Sequence, residues 1–388
     1  MTNGQTNVVV LGATGSIGCS TLEVIAASNG RLNIVGLSAH SNVDLLKKQS
    51  QRFRPRQIVL TAPNAAEKHD WSDLPPDVEL LTGPEAVEKM VTQDDVHIVV
   101  SAIVGSAGLK STWASLEAGK TVALANKDSL VVGGNLVTQL AKKNNAQILP
   151  VDSEHSAIFQ ALQTGRQKDL KQVVLTASGG PFRKLNKQRL AKVTVKDALA
   201  HPTWDMGPKV TIDSATMMNK ALEIIEARWL FELEPNQIRV VIHPQSVVHS
   251  MVEFVDGSVL AQLSPPDMKL PIQYALTWPD RCVGIARKLD WSEAFNLEFE
   301  PPDLERFESL SLGLEVARTG GTAGAVLNAA NEAAVEAFIA EKIGFLDIAP
   351  ACRAVLKNHN FDPNPKLDDL FRLDRWARQE VLRWINST

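Results

Sequence analysis

Two short stretches place acids beside polar donors at spacings suited to chemistry. Val151-Asp152-Ser153-Glu154-His155-Ser156 follows an apolar run and opens an amphipathic stretch. On a regular strand Asp152 and Glu154 would face opposite sides, whereas at a strand-to-helix turn they can converge as two hard oxygen ligands. Helix capping explains the same pair, with Asp152 as N-cap and Glu154 as first-turn acid. The second stretch, Asp213-Ser214-Ala215-Thr216-Met217-Met218-Asn219-Lys220-Ala221-Leu222-Glu223, runs into a predicted helix with Leu222, Ile225 and Trp229 as its apolar stripe. Asn219 and Glu223 are spaced i, i+4, and Lys220 and Glu223 i, i+3, so the three share another face. The plain alternative is a surface Lys220–Glu223 pair worth under about 1 kcal/mol. Ser214, at or just before the helix start, is placed to donate to an anion. Asp152, Glu154 and Glu223, with no His/Cys cluster near them, suit Mg²⁺ or Mn²⁺ over structural zinc. The Ser, Asn and Lys side chains suit a phosphate.

Three further segments carry candidate groups. Ser178-Gly179-Gly180-Pro181-Phe182-Arg183 follows a strand and makes a plausible anion nest, although a glycine-rich turn explains it equally. His201-Pro202-Thr203-Trp204-Asp205-Met206-Gly207-Pro208 has neither helical nor strand period and reads as an active-site lid, or as a loop pinned by Trp204. His201 is suited to phosphate binding or proton transfer. His243 and His249 sit in a strand-rich stretch, where hydrogen-bonded structural histidines are commoner than ligands. Gly12, Gly15 and Gly18 form G-x-x-G-x-x-G between an apolar run and an amphipathic stretch, the setting of a pyrophosphate turn. NAD sites usually end the next strand in a carboxylate; here the strand runs into Ser38-Ala39-His40-Ser41-Asn42. His40, Ser41 and Asn42 offer donors and no repulsion to a 2′-phosphate, which favours NADP.

The elements that must position these groups follow two patterns. Apolar runs at Asn7–Leu11, Leu32–Leu37, Gln57–Leu60, His97–Val104, Thr121–Ala125 and Gln147–Val151 alternate with helix-like stretches, the first over Ser20–Ala27. That alternation predicts an α/β fold opening with a Rossmann-type, doubly wound parallel sheet over 1–150. Strands at Val173–Thr176, Arg239–Ile242, Ser246–Val255 and Ser258–Leu263, with an Asp256-Gly257 hairpin, predict a central α/β catalytic domain over 151–290. Residues 264–302, rich in proline and tryptophan, read as a connector, and the chain from Leu304, typified by Ala323–Ala340, as a C-terminal helical domain within 291–388. The 388 residues can bury large cores unaided. A net charge of −4 gives no reason to expect nucleic acid or an anionic membrane as partner. Three widely spaced cysteines point to a reducing compartment. No apolar run approaches a membrane span, and the polar start reads as cytoplasmic, or plastid if a plant transit peptide has been removed.

The ordered set Gly-Ala-Thr-Gly-Ser-Ile-Gly (12–18), Ala-Asn-Lys (125–127), Val-Asp-Ser-Glu-His-Ser-Ala-Ile-Phe-Gln (151–160), Ala-Ser-Gly-Gly-Pro-Phe-Arg (177–183), His-Pro-Thr-Trp (201–204), Asp-Ser-Ala-Thr-Met-Met-Asn-Lys (213–220) and Ile-His-Pro-Gln-Ser (242–246) resembles the 1-deoxy-D-xylulose 5-phosphate reductoisomerase family. So does Leu-Asn-Ala-Ala-Asn-Glu-Ala-Ala (327–334). The resemblance implies a V-shaped subunit, usually a homodimer. It also implies NADPH-dependent conversion of 1-deoxy-D-xylulose 5-phosphate to 2-C-methyl-D-erythritol 4-phosphate in non-mevalonate isoprenoid synthesis. It implies NADPH contacts from Thr14, Gly15, Ser16, Ile17, His40, Ser41, Asn42, Asn126, Asp128 and Gly207. It places the metal on Asp152, Glu154 and Glu223, and the substrate phosphate on Ser178, Ser214, Asn219 and Lys220 with His201 beside them. Lys127 and Ser153 would meet the substrate's hydroxyl and carbonyl end, with Lys127, Asp152, Glu154 and Glu223 at the chemistry. Asp128 stands where the family commonly has glutamate. Two rival readings are a homoserine-dehydrogenase-type enzyme, which needs no carboxylate trio, and an NADP-sensing regulator, which needs no intact acids or lysines.

Overall fold

In the computed structural model, seven short apolar runs line up as one parallel sheet. Its strands are β1 (Thr6–Leu11), β2 (Leu32–Ala39), β3 (Gln57–Leu60), β4 (Glu79–Thr82), β5 (Ile98–Ser101), β6 (Thr121–Leu124) and β7 (Gln147–Pro150), in the order β4-β3-β2-β1-β5-β6-β7. Residues 5–201, 204 and 206–387 are described. The valine- and leucine-rich runs of β1 and β5 are buried along nearly their whole length, as strands covered on both faces must be. Strand order reverses at β1 and β5, so the crevice of a doubly wound sheet opens at their C-terminal ends, Leu11 and Ser101. The helix Ser16–Ala26 begins directly after the glycine turn, earlier than the Ser20 start expected. The strand expected to reach Val104 stops at Ser101, where the chain leaves the sheet to form one lip of that crevice. Edge strand β4 has no counterpart in the sequence reading, because its four residues carry only a partly covered Leu80-Leu81 pair.

By contacts, the first unit comprises residues up to Asn126, Gln139–Ser156 and Asp267–Ala286. The last of these corrects the connector reading of 264–302, since it holds a helix, Lys269–Thr277, that packs against Ser16–Ala26 and β6. Lys269 pairs with Glu23 at 2.7 Å across that contact. Pro271 sits in the helix's first turn, where the missing N–H has no intrahelical acceptor to lose.

The second unit comprises Lys127–Thr138, Ala157–Pro266 and the chain from Arg287 onward. Its sheet contains β8 (Leu170–Ala177), β9 (Ile238–Ile242), β10 (Val248–Phe254) and β11 (Val259–Leu263), ordered β11-β10-β8-β9. β8 and β9 are parallel, and β10 runs antiparallel to β8 and β11. The expected hairpin joins β10 to β11, with Gly257 at φ +87° and the Ser258 N–H donating to Asp256 Oδ1 at 2.9 Å. The helix Met218–Leu230 is buried almost all round, lying among β8, β9 and the helix Glu308–Thr319. The C-terminal chain is helical as expected: Ala323–Ile339 is enclosed beside Ile348–Asn358 and Leu367–Ser387.

Helix Glu308–Thr319 reaches Met218–Leu230 through Gly313, where an added Cβ would stand 2.6 Å from Ala221 Cα. Ala221 lies two residues before Glu223, so this contact seats the candidate acid. Gly313→Ala is expected to destabilise the protein by about 1–3 kcal/mol in urea unfolding, by forcing the helices apart. Intrinsic helix propensity alone would stabilise the variant, so a gain in stability would refute the packing account.

Candidate active site

In the first unit, the chain leaves β1 into a turn shaped by its glycines. Gly12 has φ +72°, and an added Cβ would lie 2.5 Å from the Ala102 carbonyl oxygen. A Cβ on Gly18 would lie 2.3 Å from the Gly12 oxygen. Gly15, the N-cap of Ser16–Ala26, is different: it has ordinary φ, and a Cβ would meet only the Gly12 oxygen, at 3.4 Å. The protein's own packing therefore requires glycine at 12 and 18, while glycine at 15 suits close approach by a ligand. No side chain caps this helix start, which leaves donors for a pyrophosphate. At the end of β2, exposed His40 contacts Thr61 Oγ1 through Nδ1 at 3.0 Å. Asn42 caps the helix Val43–Phe53 by accepting the Leu45 N–H at 3.2 Å. Asn126, after β6, donates to the carbonyls of Ile103 and Gly105, closing the lip beyond β5.

Asp152 and Glu154 stand where β7 gives way to the helix Ser153–Leu162. Asp152 Oδ1 accepts the Glu154 N–H at 3.3 Å, as the capping reading requires, and His155 Nδ1 lies 3.4 Å from the same oxygen. Ser153 Oγ donates to Glu154 Oε2 at 2.5 Å. Both acids remain partly exposed at this turn. Capping and ligation are thus compatible, because the cap occupies only part of each carboxylate's acceptor capacity.

In the second unit, Lys127, Asn219, Lys220 and Glu223 come together. Lys127 Nζ donates to Asn219 Oδ1 at 2.9 Å and lies 3.4 Å from Glu223 Oε1. Asn219 Nδ2 donates to Glu223 Oε1 at 2.5 Å, and Lys220 Nζ pairs with Glu223 Oε2. Lys220 is 4% exposed and Glu223 1%, which overturns the surface-pair alternative. Two ammonium groups around one carboxylate leave the cluster with a surplus positive charge, and that suits an anion.

The helix expected to start at or just after Ser214 starts later, and another helix precedes it. Pro208–Ala215 ends at Thr216, and Met218–Leu230 starts from Met217, a non-glycine residue at φ +62°. Ser214 therefore lies in the last turn of the first helix, not at the start of the second, a correction to the anion reading based on a helix N-terminus. It gains a different neighbour: Gly180, at φ +65°, approaches so closely that an added Cβ would stand 2.6 Å from the Ser214 carbonyl oxygen. Ser178, at the head of that glycine turn, contacts His201 Nε2 at 3.2 Å. Phe182 anchors the turn edge-on against Phe345 at 5.1 Å.

Of the segment expected as a lid, Pro202, Thr203 and Asp205 lie outside the described residues. Trp204 is half-buried, with its ring 6.3 Å from that of His249, and Gly207 caps the helix Pro208–Ala215. His243 accepts the Val247 and Val248 N–H groups through Nε2, and His249 contacts Ser264, so both are structural as expected.

The sequence reading missed Lys209, Asp213 and Asn331. Lys209 Nζ is 2.8 Å from Asp213 Oδ2 and 3.5 Å from Asp128 Oδ1, and Asn331 Nδ2 donates to Asp213 Oδ1 at 2.8 Å. Burial opposes the charge on Lys209, but the Asp128 and Asp213 carboxylates outweigh it and hold the ammonium above its ordinary range. Asp128, expected at the cofactor, thus spends part of its charge on Lys209. The i, i+4 spacing of Lys209 and Asp213 was a signal, as were Asn328, Asn331 and Glu332 on one face of an alanine-rich helix.

The family model for 1-deoxy-D-xylulose 5-phosphate reductoisomerase matches residues 8–134, and two models of its C-terminal domains match 148–231 and 263–380. The 1-deoxy-D-xylulose 5-phosphate reductoisomerase of Chlorobium chlorochromatii is 49% identical over 97% of this chain and 98% of its own. That of Chlorobaculum tepidum is 49% identical over 97% and 98%. Among solved structures, a DOX-P reductoisomerase in complex with NADPH, fosmidomycin and magnesium superposes with a TM-score of 0.93 at 43% identity, covering 98% of both chains. The Zymomonas mobilis enzyme in complex with NADPH gives 0.91 at 41% identity, covering 99% of this chain and 100% of its own.

The Trp204 N–H donates to His201 Nδ1 at 2.9 Å, so the neutral ring carries its proton on Nε2 and donates to Ser178. Burial holds the His201 pKa below its ordinary value. The neutral ring is the folded form, so this arrangement contributes fully above the ordinary histidine value of about 6.5 and is lost as pH falls through the depressed one. An NMR titration of His201 Cε1–H, assigned with His201→Gln, should therefore give an inflection below that of the unfolded chain. An inflection above it would contradict the assigned tautomer.

Proposed function

The chain belongs to the 1-deoxy-D-xylulose 5-phosphate reductoisomerase family, and from that premise we propose how its residues share the work. It is an NADP-dependent, divalent-metal-dependent oxidoreductase. It converts 1-deoxy-D-xylulose 5-phosphate to 2-C-methyl-D-erythritol 4-phosphate in non-mevalonate isoprenoid precursor synthesis. The observation that carries the assignment of roles is the buried cluster of Lys127, Asn219, Lys220 and Glu223. An NADPH-binding part to residue 150 that takes in Asp267–Ala286, a metal- and substrate-binding part to Pro266 and a helical part from Arg287 is the division that agrees best with the two units.

Asp152, Glu154 and Glu223 hold the cation; an all-carboxylate donor set fits Mg²⁺ or Mn²⁺. Thr14, Gly15, Ser16 and Ile17 receive the NADPH pyrophosphate, which suits a turn with an uncapped helix start and no steric need for glycine at 15. His40, Ser41 and Asn42 take the 2′-phosphate, and Asn126, Asp128 and Gly207 complete the cofactor contacts. When bound, the cation polarises the substrate's carbonyl and hydroxyl oxygens, and NADPH supplies a hydride. Ser178, Ser214, Asn219 and Lys220, with His201 beside them, anchor the phosphate, so the reacting carbons stay oriented while the skeleton rearranges. Lys127, held by Asn219 and Glu223, presents an ammonium to the hydroxyl and carbonyl end with Ser153.

A homodimer is the assembly that best accounts for β11, an edge strand whose Val259 and Leu260 are 51% and 38% exposed. A cytoplasmic setting, or a plastid one in a plant, accords with free Cys19, Cys282 and Cys352. Among the described residues no helix is long and apolar enough to cross a membrane.

Absorbance of NADPH, followed with 1-deoxy-D-xylulose 5-phosphate and Mn²⁺, should fall only when both are present, stop with EDTA, and fall much more slowly with NADH. Glu223→Gln should lower kcat at least about 100-fold while NADPH affinity stays nearly unchanged. Near-normal turnover in that variant would remove Glu223 from the metal set. Sedimentation equilibrium should give twice the chain mass, and a monomer would refute the reading of β11.

A further inference from the structure

The peptide that follows Gly12 is clamped from beneath. The Ala13 N–H donates to the Ser38 carbonyl at 2.8 Å. The Ala13 carbonyl accepts from Gln49 Nε2 at 2.8 Å, and the Cys19 thiol lies 3.7 Å from the same oxygen. In a trans peptide the N–H points opposite to the C=O. Drawing the Ala13 oxygen towards Gln49 therefore turns the Thr14 N–H to the other side of the turn. Among the described residues, neither the Thr14 nor the Ser16 N–H meets a protein acceptor.

Gln49 is 6% exposed and lies on the helix Val43–Phe53. Its Oε1 is buried and has no hydrogen-bond partner. A buried acceptor without a donor costs stability, and an apolar side chain of similar shape would avoid that cost. What the glutamine supplies in return is its amide N–H on the Ala13 carbonyl, which fixes the orientation of that peptide. The same helix begins at Asn42, in the segment assigned to the 2′-phosphate, and carries Gln49 about two turns further on. One rigid element thus relates both anion subsites of the cofactor.

We propose that Gln49 is a positioning residue for the dinucleotide: it orients the Ala13–Thr14 peptide so that the Thr14 N–H faces the pyrophosphate. The proposal rests on the reading that the Gly12–Gly18 turn holds that group. Gln49 touches no ligand itself; it acts through the backbone of the turn.

The test uses the full chain, with NADPH and with 2′-AMP, which carries the adenosine 2′-phosphate but no pyrophosphate. Gln49→Met keeps length and volume and removes the amide. It should weaken NADPH binding by roughly 5- to 10-fold in fluorescence titration, leave 2′-AMP binding unchanged, and leave the ligand-free unfolding temperature nearly unchanged, because the unpartnered Gln49 Oε1 is exchanged for an Ala13 carbonyl that keeps only the Cys19 thiol. Gln49→Glu, which sets a carboxylate against the Ala13 oxygen, should lose more NADPH affinity than Gln49→Met. Equal losses for both ligands, or a lower unfolding temperature with matching losses, would reduce Gln49 to a packing residue and overturn the proposal. Unchanged NADPH affinity in a folded Gln49→Met protein would overturn it as well. Failure of the underlying reading looks different, because Gly15→Val in the turn itself would then also leave NADPH affinity unchanged.

Discussion

Glu223 places a carboxylate where 1% of its surface meets solvent, and Lys127 and Lys220 are the charges that make such burial tolerable. Much of the second unit follows from that requirement. The helix carrying Glu223 must run through the interior, so its neighbours present small residues: Gly313 against Ala221, and Gly134 against Trp229, whose ring would lie 2.9 Å from an added Cβ. Gly134, at φ +40° inside Asp128–Lys143, also kinks that helix a few residues beyond Lys127. Met217 bends the chain so that Ser214 and Asn219 belong to different helices. Each of these departures from regular geometry lies close in sequence to a group proposed to handle the substrate.

The Lys209 network extends the same logic outward. Asp128 follows Lys127 in the chain and Asp213 precedes Ser214, so one ammonium steadies the backbone beside two residues proposed to bind substrate. Asn331 and the neighbouring Glu332 connect this to the C-terminal helices, where Arg378 pairs with Glu332 and Asp374. Burial raises the Glu332 pKa, the nearby Asp128 adds to the shift, and Arg378 opposes it. The helical region, which contributes no predicted ligand, still helps set the electrostatic environment of the residues that do.

The parallel sheet was legible because strands buried on both faces write themselves as valine-rich runs, and the glycine turn because its context is strand, turn and helix. β4 and the helix Lys269–Thr277 were not legible: the first is too short and half-covered to pattern, and the second carries a proline in its first turn and lies in a stretch rich in proline and tryptophan. The acids and lysines were legible as residue types at helical spacings. Their burial was not, since Lys220–Glu223 spacing is the same on a surface and in a core. Ser214 was misplaced relative to its helix because nothing in Thr216-Met217 advertises a left-handed residue. Gln49 and Lys209 act through backbone and charge at a distance along the chain, which no local pattern records.

The first unit's segments are separated in the chain, and this bears on how the molecule is made. Ser16–Ala26 is synthesised well before the helix that covers it, Lys269–Thr277, which with the Lys269 partner of Glu23 emerges some 250 residues later. At about 5–20 residues per second, the nascent parallel sheet waits for more than ten seconds with an apolar flank uncovered. During that interval the growing chain is a natural client for chaperones that shield such surfaces, and a fragment ending near residue 150 would keep the same flank bare for good.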